Sequence, residues 1–190
     1  MGRRMFVLGT DHALQGAEKL EDSKKICDPD YDVLVRYRVQ EYYIDYIFEE
    51  VSGRGPTTAG KMQRPGLGYL DVDPNEAERK ALQIPESTLL GESFEFYEKN
   101  DALRPDPSPR ALYNQAVPVL RREEVWLKRI NNETFTNGLM ICGAAHTFSA
   151  ALRLGIAGFS VDVIIYLPFA KLAQVSACSR TNDPVVDPRG

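Results

Sequence analysis

The sequence predicts an α/β protein, a three-layer domain with a mostly parallel sheet and helices on both of its faces. Three observations carry this. Met5–Leu8, Leu139–Cys142 and Val161–Leu167 are short, nearly unbroken apolar runs of strand length. Longer segments with a helical apolar period separate them, which is the order of βαβ units. Two of the runs stop at glycine, Gly9 and Gly143, as strands do when the chain must turn sharply off a sheet edge.

Taken in order, Met5–Leu8 is a buried first strand. A polar stretch then leads to Asp32, an expected N-cap, and a helix over Val33–Tyr46 whose tyrosines fall at helix-packing spacing. Ile47–Val51 is a second strand that closes on two acids, Glu49 and Glu50. Ser52–Gly68 is rich in Gly, Pro and Thr and reads as a loop. Tyr69–Val72 is a short third strand. Asp73-Pro74 is a cap-plus-first-turn signal opening a helix towards Ile84. Pro85–Pro109 lacks periodicity and reads as an exposed excursion. A long helix over Pro109–Asn131 is expected to kink at Pro118. Leu139–Cys142, a helix over Thr147–Ile156, and Val161–Leu167, read as a strand buried on both faces, complete the series.

With 190 residues the chain suits one domain, expected over 1–175, with a flexible tail at 176–190. The formal net charge of −4 disfavours nucleic acid as a partner. Three scattered cysteines form neither a zinc knuckle nor a disulfide framework, and fit a reducing compartment. No run reaches membrane-spanning length and no signal-peptide core is present, so the expected location is cytoplasmic. Nothing in the pattern sets an oligomeric state.

The chemistry concentrates on the only two histidines. His12 and His146 occupy matching strand-end turns, Gly9-Thr10-Asp11-His12 and Gly143-Ala144-Ala145-His146. Parallel strands would deliver both rings, and the acids Glu49 and Glu50, to the carboxyl edge of the sheet. Two imidazoles and a carboxylate suit zinc, manganese or iron with positions left for water and substrate. Such an ion could activate water and polarise a carbonyl. Without metal, a histidine and a glutamate could share acid–base work. Strand alternation sends Glu49 and Glu50 to opposite faces, and the sequence does not say which one joins the histidines. Arg122, on one helix face with Trp126, is the expected electrostatic stabiliser, with a structural salt bridge as the plainer alternative.

Two further motifs lack the residues that their apparent chemistry needs. Gly55-Pro-Thr-Thr-Ala-Gly60-Lys61 fits the phosphate-loop spacing, but position 62 is Met where magnesium needs a hydroxyl, and Pro65-Gly66 interrupts the helix that should follow. Cys142 beside Gly143 lies inside an apolar strand, where thiols are packing groups.

These motifs together resemble the TraB, Tiki, erythromycin-esterase-like and ChaN-like superfamily. The resemblance rests on Gly9–His12, the strand-end acids Glu49-Glu50, the Arg122-x-x-x-Trp126 helix and Gly143–His146, with Gln15 as a minor member of the site. It implies an α/β fold with histidines and acids at one sheet edge, and chemistry ranging from metal-dependent peptide cleavage and ester hydrolysis to haem binding. The expectation is therefore a metal-dependent hydrolase of ester or peptide bonds in a small molecule or peptide. His12, His146 and Glu50 would be ligands, and Glu49, Glu50 and Arg122 would be catalytic. The competing expectations are a non-catalytic binder of haem or another small ligand, and an inert relative acting through a partner.

Overall fold

The computed structural model describes residues 2–15, 28–51, 57–84 and 109–166, with the side chains of Ala13 and of 109–118 left aside. Among the described residues five strands form a single sheet: β1 (Arg4–Thr10), β2 (Tyr46–Glu49), β3 (Gly68–Asp71), β4 (Asn137–Gly143) and β5 (Ser160–Ile165). Their order is β3-β2-β4-β1-β5, and every neighbouring pair is parallel. The helices are α1 (Pro29–Glu41), α2 (Glu76–Ala81), α3 (Pro109–Asn132) and α4 (Thr147–Ile156).

Alternation along β1 explains the layering. Met5 and Val7 pack with Trp126 and Ile130 of α3 and with Ala150 and Leu154 of α4. Phe6 and Leu8 face the other way, onto Tyr31, Val35 and Val39 of α1. A strand covered on both sides must be apolar at successive positions, and Met5 to Leu8 are all buried. Burying side chains of this size is the main force holding the layers together, at about 1.5–3 kcal/mol each.

The helix starts differ from those expected, for local reasons. Asp28, not Asp32, caps α1, accepting from the backbone N–H groups of Asp30 and Tyr31 at 3.0 and 3.4 Å with Pro29 at the first helical position. The helix ends at Glu41, Tyr43 takes a left-handed φ of 51°, and the rest of the expected helix becomes the lead into β2. For α2 the cap is Asn75, which forms a reciprocal capping box with Glu78. Asp73 is thereby released for another task.

The last strand departs most from expectation. The apolar run at Val161 is expected to be buried on both faces, but among the described residues β5 is an edge strand paired with β1 alone. Val163 and Ile165 are 41% and 46% exposed. An apolar composition does not tell a central strand from an edge one. Helix α3 continues through Pro118, whose side chain lies outside the described residues, as do the expected excursion over 85–108 and the tail at 176–190. Among the described residues no helix is long and apolar enough to cross a membrane.

Candidate functional site

The three central strands, β2, β4 and β1, end side by side. Register pairs Thr10 with Gly143, and Glu49 with Ile141, so the residues that follow each strand meet at one edge. The Glu50 N–H still bonds the Ile141 carbonyl at 2.9 Å, which carries β2's alignment one residue past its end. Beyond these ends, short 3₁₀ turns over His12–Gln15 and Ala144–His146 bring in the imidazoles.

Glycine allows a close approach at both strand ends. A Cβ on Gly143 would lie 2.6 Å from His12 Nε2, and one on Gly9 would lie 1.9 Å from Thr147 Oγ1. The repeated glycine-to-histidine spacing therefore marks two places where the first turn and the second turn interlock.

Glu50 is the centre of the site. It is 1% exposed, and its Oε2 accepts the Gly143 N–H at 2.9 Å. Its Oε1 is bonded by Arg122 Nη2 and lies 3.7 Å from both His12 Nε2 and His146 Nε2. The two histidines thus converge on one carboxylate oxygen. His146 Nδ1 lies 3.1 Å from Glu123 Oε1, an acceptor, so that nitrogen carries the proton, and Nε2, beside Glu50, is left to accept from Arg122 Nη1 at 3.4 Å. His12 Nδ1 lies 3.1 Å from Gln15 Oε1, which orients its ring in the same sense. The rings differ in access: the His12 side chain is 41% exposed and that of His146 11%.

Arg122 reaches the site through an anchor that sequence reading missed. Asp73 Oδ1 accepts from Arg122 Nε at 3.0 Å, from Arg122 Nη2 at 2.9 Å and from Trp126 Nε1 at 3.0 Å. Arg79 pairs with the second oxygen. Residues four apart on α3 therefore grip one carboxylate, and the Trp126 ring meets the edge of His146 with centroids 5.0 Å apart. Burial opposes the charge of Arg122, but Glu50 and Asp73 outweigh it and hold its pKa above the ordinary value. Glu123 is the second residue missed; it holds His146, takes a hydroxyl bond from Ser149 and pairs with Arg153 Nε at 3.1 Å. A hint of Asp73 was present, since Asn75-x-x-Glu78 is the better cap and leaves the aspartate two positions earlier unused.

The structure thus gathers His12, His146, Glu50 and Arg122, with Gln15 against His12. Glu49 is also fully buried but lies on the opposite face of the sheet, where Thr57 and Tyr69 donate to its Oε2. Burial pushes its carboxyl up to about 8. Cys142 is buried within β4, and burial raises its thiol well above the ordinary range, which suits packing and not nucleophilic attack. Residues 57–62 of the phosphate-loop look-alike form a turn and a three-residue 3₁₀ segment, while 55 and 56 lie outside the described residues.

No family model, no curated protein and no solved structure matches the chain.

Proposed function

We propose that this protein hydrolyses ester or amide bonds in a small molecule or peptide by acid–base chemistry, with His12 as the general base. The observation that carries this is the convergence of His12 Nε2 and His146 Nε2 on Glu50 Oε1, at 3.7 Å each. The resemblance of the two histidine turns to the erythromycin-esterase-like and TraB-like superfamily points the same way.

His12 is the more exposed ring, and its Nδ1 is occupied by Gln15, so Nε2 is the nitrogen left to take a proton. It takes a proton from water as the oxygen attacks the carbonyl, and returns that proton to the leaving alcohol or amine as the bond breaks. Glu50 stabilises the imidazolium formed between those steps. Arg122 commits Nε and Nη2 to Asp73 and Glu50 and holds Nη1 3.4 Å from His146 Nε2, so its part is to fix the carboxylate and the buried ring in place.

A resident divalent ion suits the site poorly. Separations of 3.7 Å could bracket an ion with ligands at about 2.1 Å. Yet Glu50 Oε1 already holds Arg122, and the buried acids Glu50, Asp73 and Glu123 are matched by Arg122, Arg79 and Arg153. A dication would add uncompensated positive charge at a buried centre. Among the described residues no cluster of three or more His, Cys, Asp and Glu side chains has the arrangement of a metal site. The reaction is accordingly written through the side chains alone.

The test is turnover of a panel of activated esters and peptides by wild type and His12→Gln, before and after chelation, with metal content measured in parallel. Loss of about 10²–10⁴-fold in His12→Gln, with no effect of chelation, is expected. Equal turnover in the two proteins, or none in wild type, overturns the reading. Turnover that falls on chelation and returns with zinc, manganese or iron replaces it with the metal-dependent one.

A further inference from the structure

Glu49 is as deeply buried as Glu50 beside it, yet its surroundings are different. Both its hydrogen bonds come from hydroxyl groups, Thr57 and Tyr69 (2.9 Å), and both reach Oε2. Oε1 has no hydrogen-bond partner among the described residues. Burying a carboxyl group on these terms opposes folding, so the position calls for a reason beyond packing.

The contacts that leave Glu49 lead back to His12 at the sheet edge. Thr57 Oγ1, which donates to Glu49, accepts the Gly60 N–H at 3.0 Å, and the Thr57 carbonyl accepts the Lys61 N–H at 3.0 Å. The turn over 57–62 is thereby pinned at its first residue. The next residue, Thr58, donates its N–H to the Gln15 carbonyl at 2.9 Å. Gln15 is 2% exposed and accepts from His12 Nδ1 at 3.1 Å. Glu49, Thr57, Thr58, Gln15 and His12 thus form one unbroken series of contacts from a buried acid to the exposed imidazole.

We propose that Glu49 is a positioning residue for His12, acting by anchoring Thr57 so that the 57–62 turn holds Gln15 and Gln15 holds the ring. This rests on His12 being the base of the reaction, but its decisive test does not require turnover. The exposed ring gains most from such a brace, because His146 is already packed against Trp126 and held by Glu123. Tyr69 supports the anchor from β3: a Cβ on Gly60 would come within 3.1 Å of its ring, so turn and tyrosine are in close contact.

The chain has two histidines, so their ring Cε1–H signals can be followed by NMR and assigned with His12→Ala. Thr57→Val keeps the side chain's shape and removes the hydroxyl, and Thr57→Ser restores it. The expected result is that Thr57→Val and Glu49→Ala move the His12 signal and leave that of His146 in place, while Thr57→Ser and Glu49→Gln stay near wild type. Where hydrolysis is found, Thr57→Val should lower kcat about tenfold with KM unchanged. An unmoved His12 signal in Thr57→Val overturns the proposal, as does an equal movement of both histidine signals, which reports general loosening. Should Glu49→Ala fail to fold, the two Thr57 variants decide the matter. A protein without hydrolytic activity in which the His12 signal alone responds would keep the brace and remove the base.

Discussion

Arg122 and Glu50 form a buried ion pair, 72 residues apart in the chain, around which both histidines are placed. The guanidinium is held from behind by Asp73, which Trp126 also bonds, so the carboxylate has a fixed partner on one side and two imidazoles on the other. Its rigidity depends on both members being present.

Removing one member should therefore be worse than removing both. Arg122→Met leaves Glu50 without its cation and takes two bonds from Asp73, and a loss of about 3–5 kcal/mol is expected in urea unfolding. Adding Glu50→Gln to that background should recover part of it, because the uncompensated charge is gone. The double-variant cycle measures this directly, and simple addition of the two losses would show that the pair is not coupled.

The two histidines should separate in stability although they share an oxygen. His12 is partly exposed and its replacement by Gln should change stability by less than about 1 kcal/mol while lowering turnover about 10²–10⁴-fold. His146 is buried between Glu123, Trp126 and Arg122, so His146→Ala should cost about 2–4 kcal/mol as well as activity. Thermal unfolding and turnover measured on the same preparations make the comparison.

Much of this site was legible because the sequence marks strand ends. Gly9 and Gly143 each follow an apolar run, and His12 and His146 stand three residues later, so a parallel sheet brings them to one edge. Asp73 and Glu123 were not legible in the same way. Each acts on a residue brought close only by the fold, 49 positions away for Asp73 with Arg122 and 23 for Glu123 with His146. The exposure of β5 was hidden for a related reason, since it follows from strand order and not from composition. Alternation separated Glu49 from Glu50, but only the strands and turns on each face decide which acid meets the histidines.

The close approach at Gly9 gives a steric prediction. A Cβ there would overlap Thr147 Oγ1 at 1.9 Å, where α4 begins, so Gly9→Ala should destabilise by about 1–3 kcal/mol. Thr147→Ala removes that oxygen, and the double variant should be more stable than Gly9→Ala alone. At Gly143 the neighbour is His12 Nε2, 2.6 Å from the added carbon, and Gly143→Ala should displace the ring and lower activity more than stability.

Glu49 should leave a signature in the pH dependence of folding. Its carboxyl is pushed up to about 8 in the folded protein, raised by burial from the ordinary value of 4.5, with Thr57 and Tyr69 acting in the opposite direction and the charge of Asp71 adding to the rise. Between those two values the folded chain keeps a proton that the unfolded chain has released. Stability from this group is therefore fully present below about 4.5 and declines as pH rises towards 8. The slope is at most about 1.4 kcal/mol per pH unit for one proton. Above 8 both states are ionised and the contribution is flat. Glu49→Gln cannot ionise and should lack this decline, so the two stability curves should draw apart between pH 5 and 8 and then run parallel. Urea midpoints measured across that interval check it, and a wild-type curve parallel to that of Glu49→Gln throughout would show that Glu49 is ionised in the folded state at neutral pH.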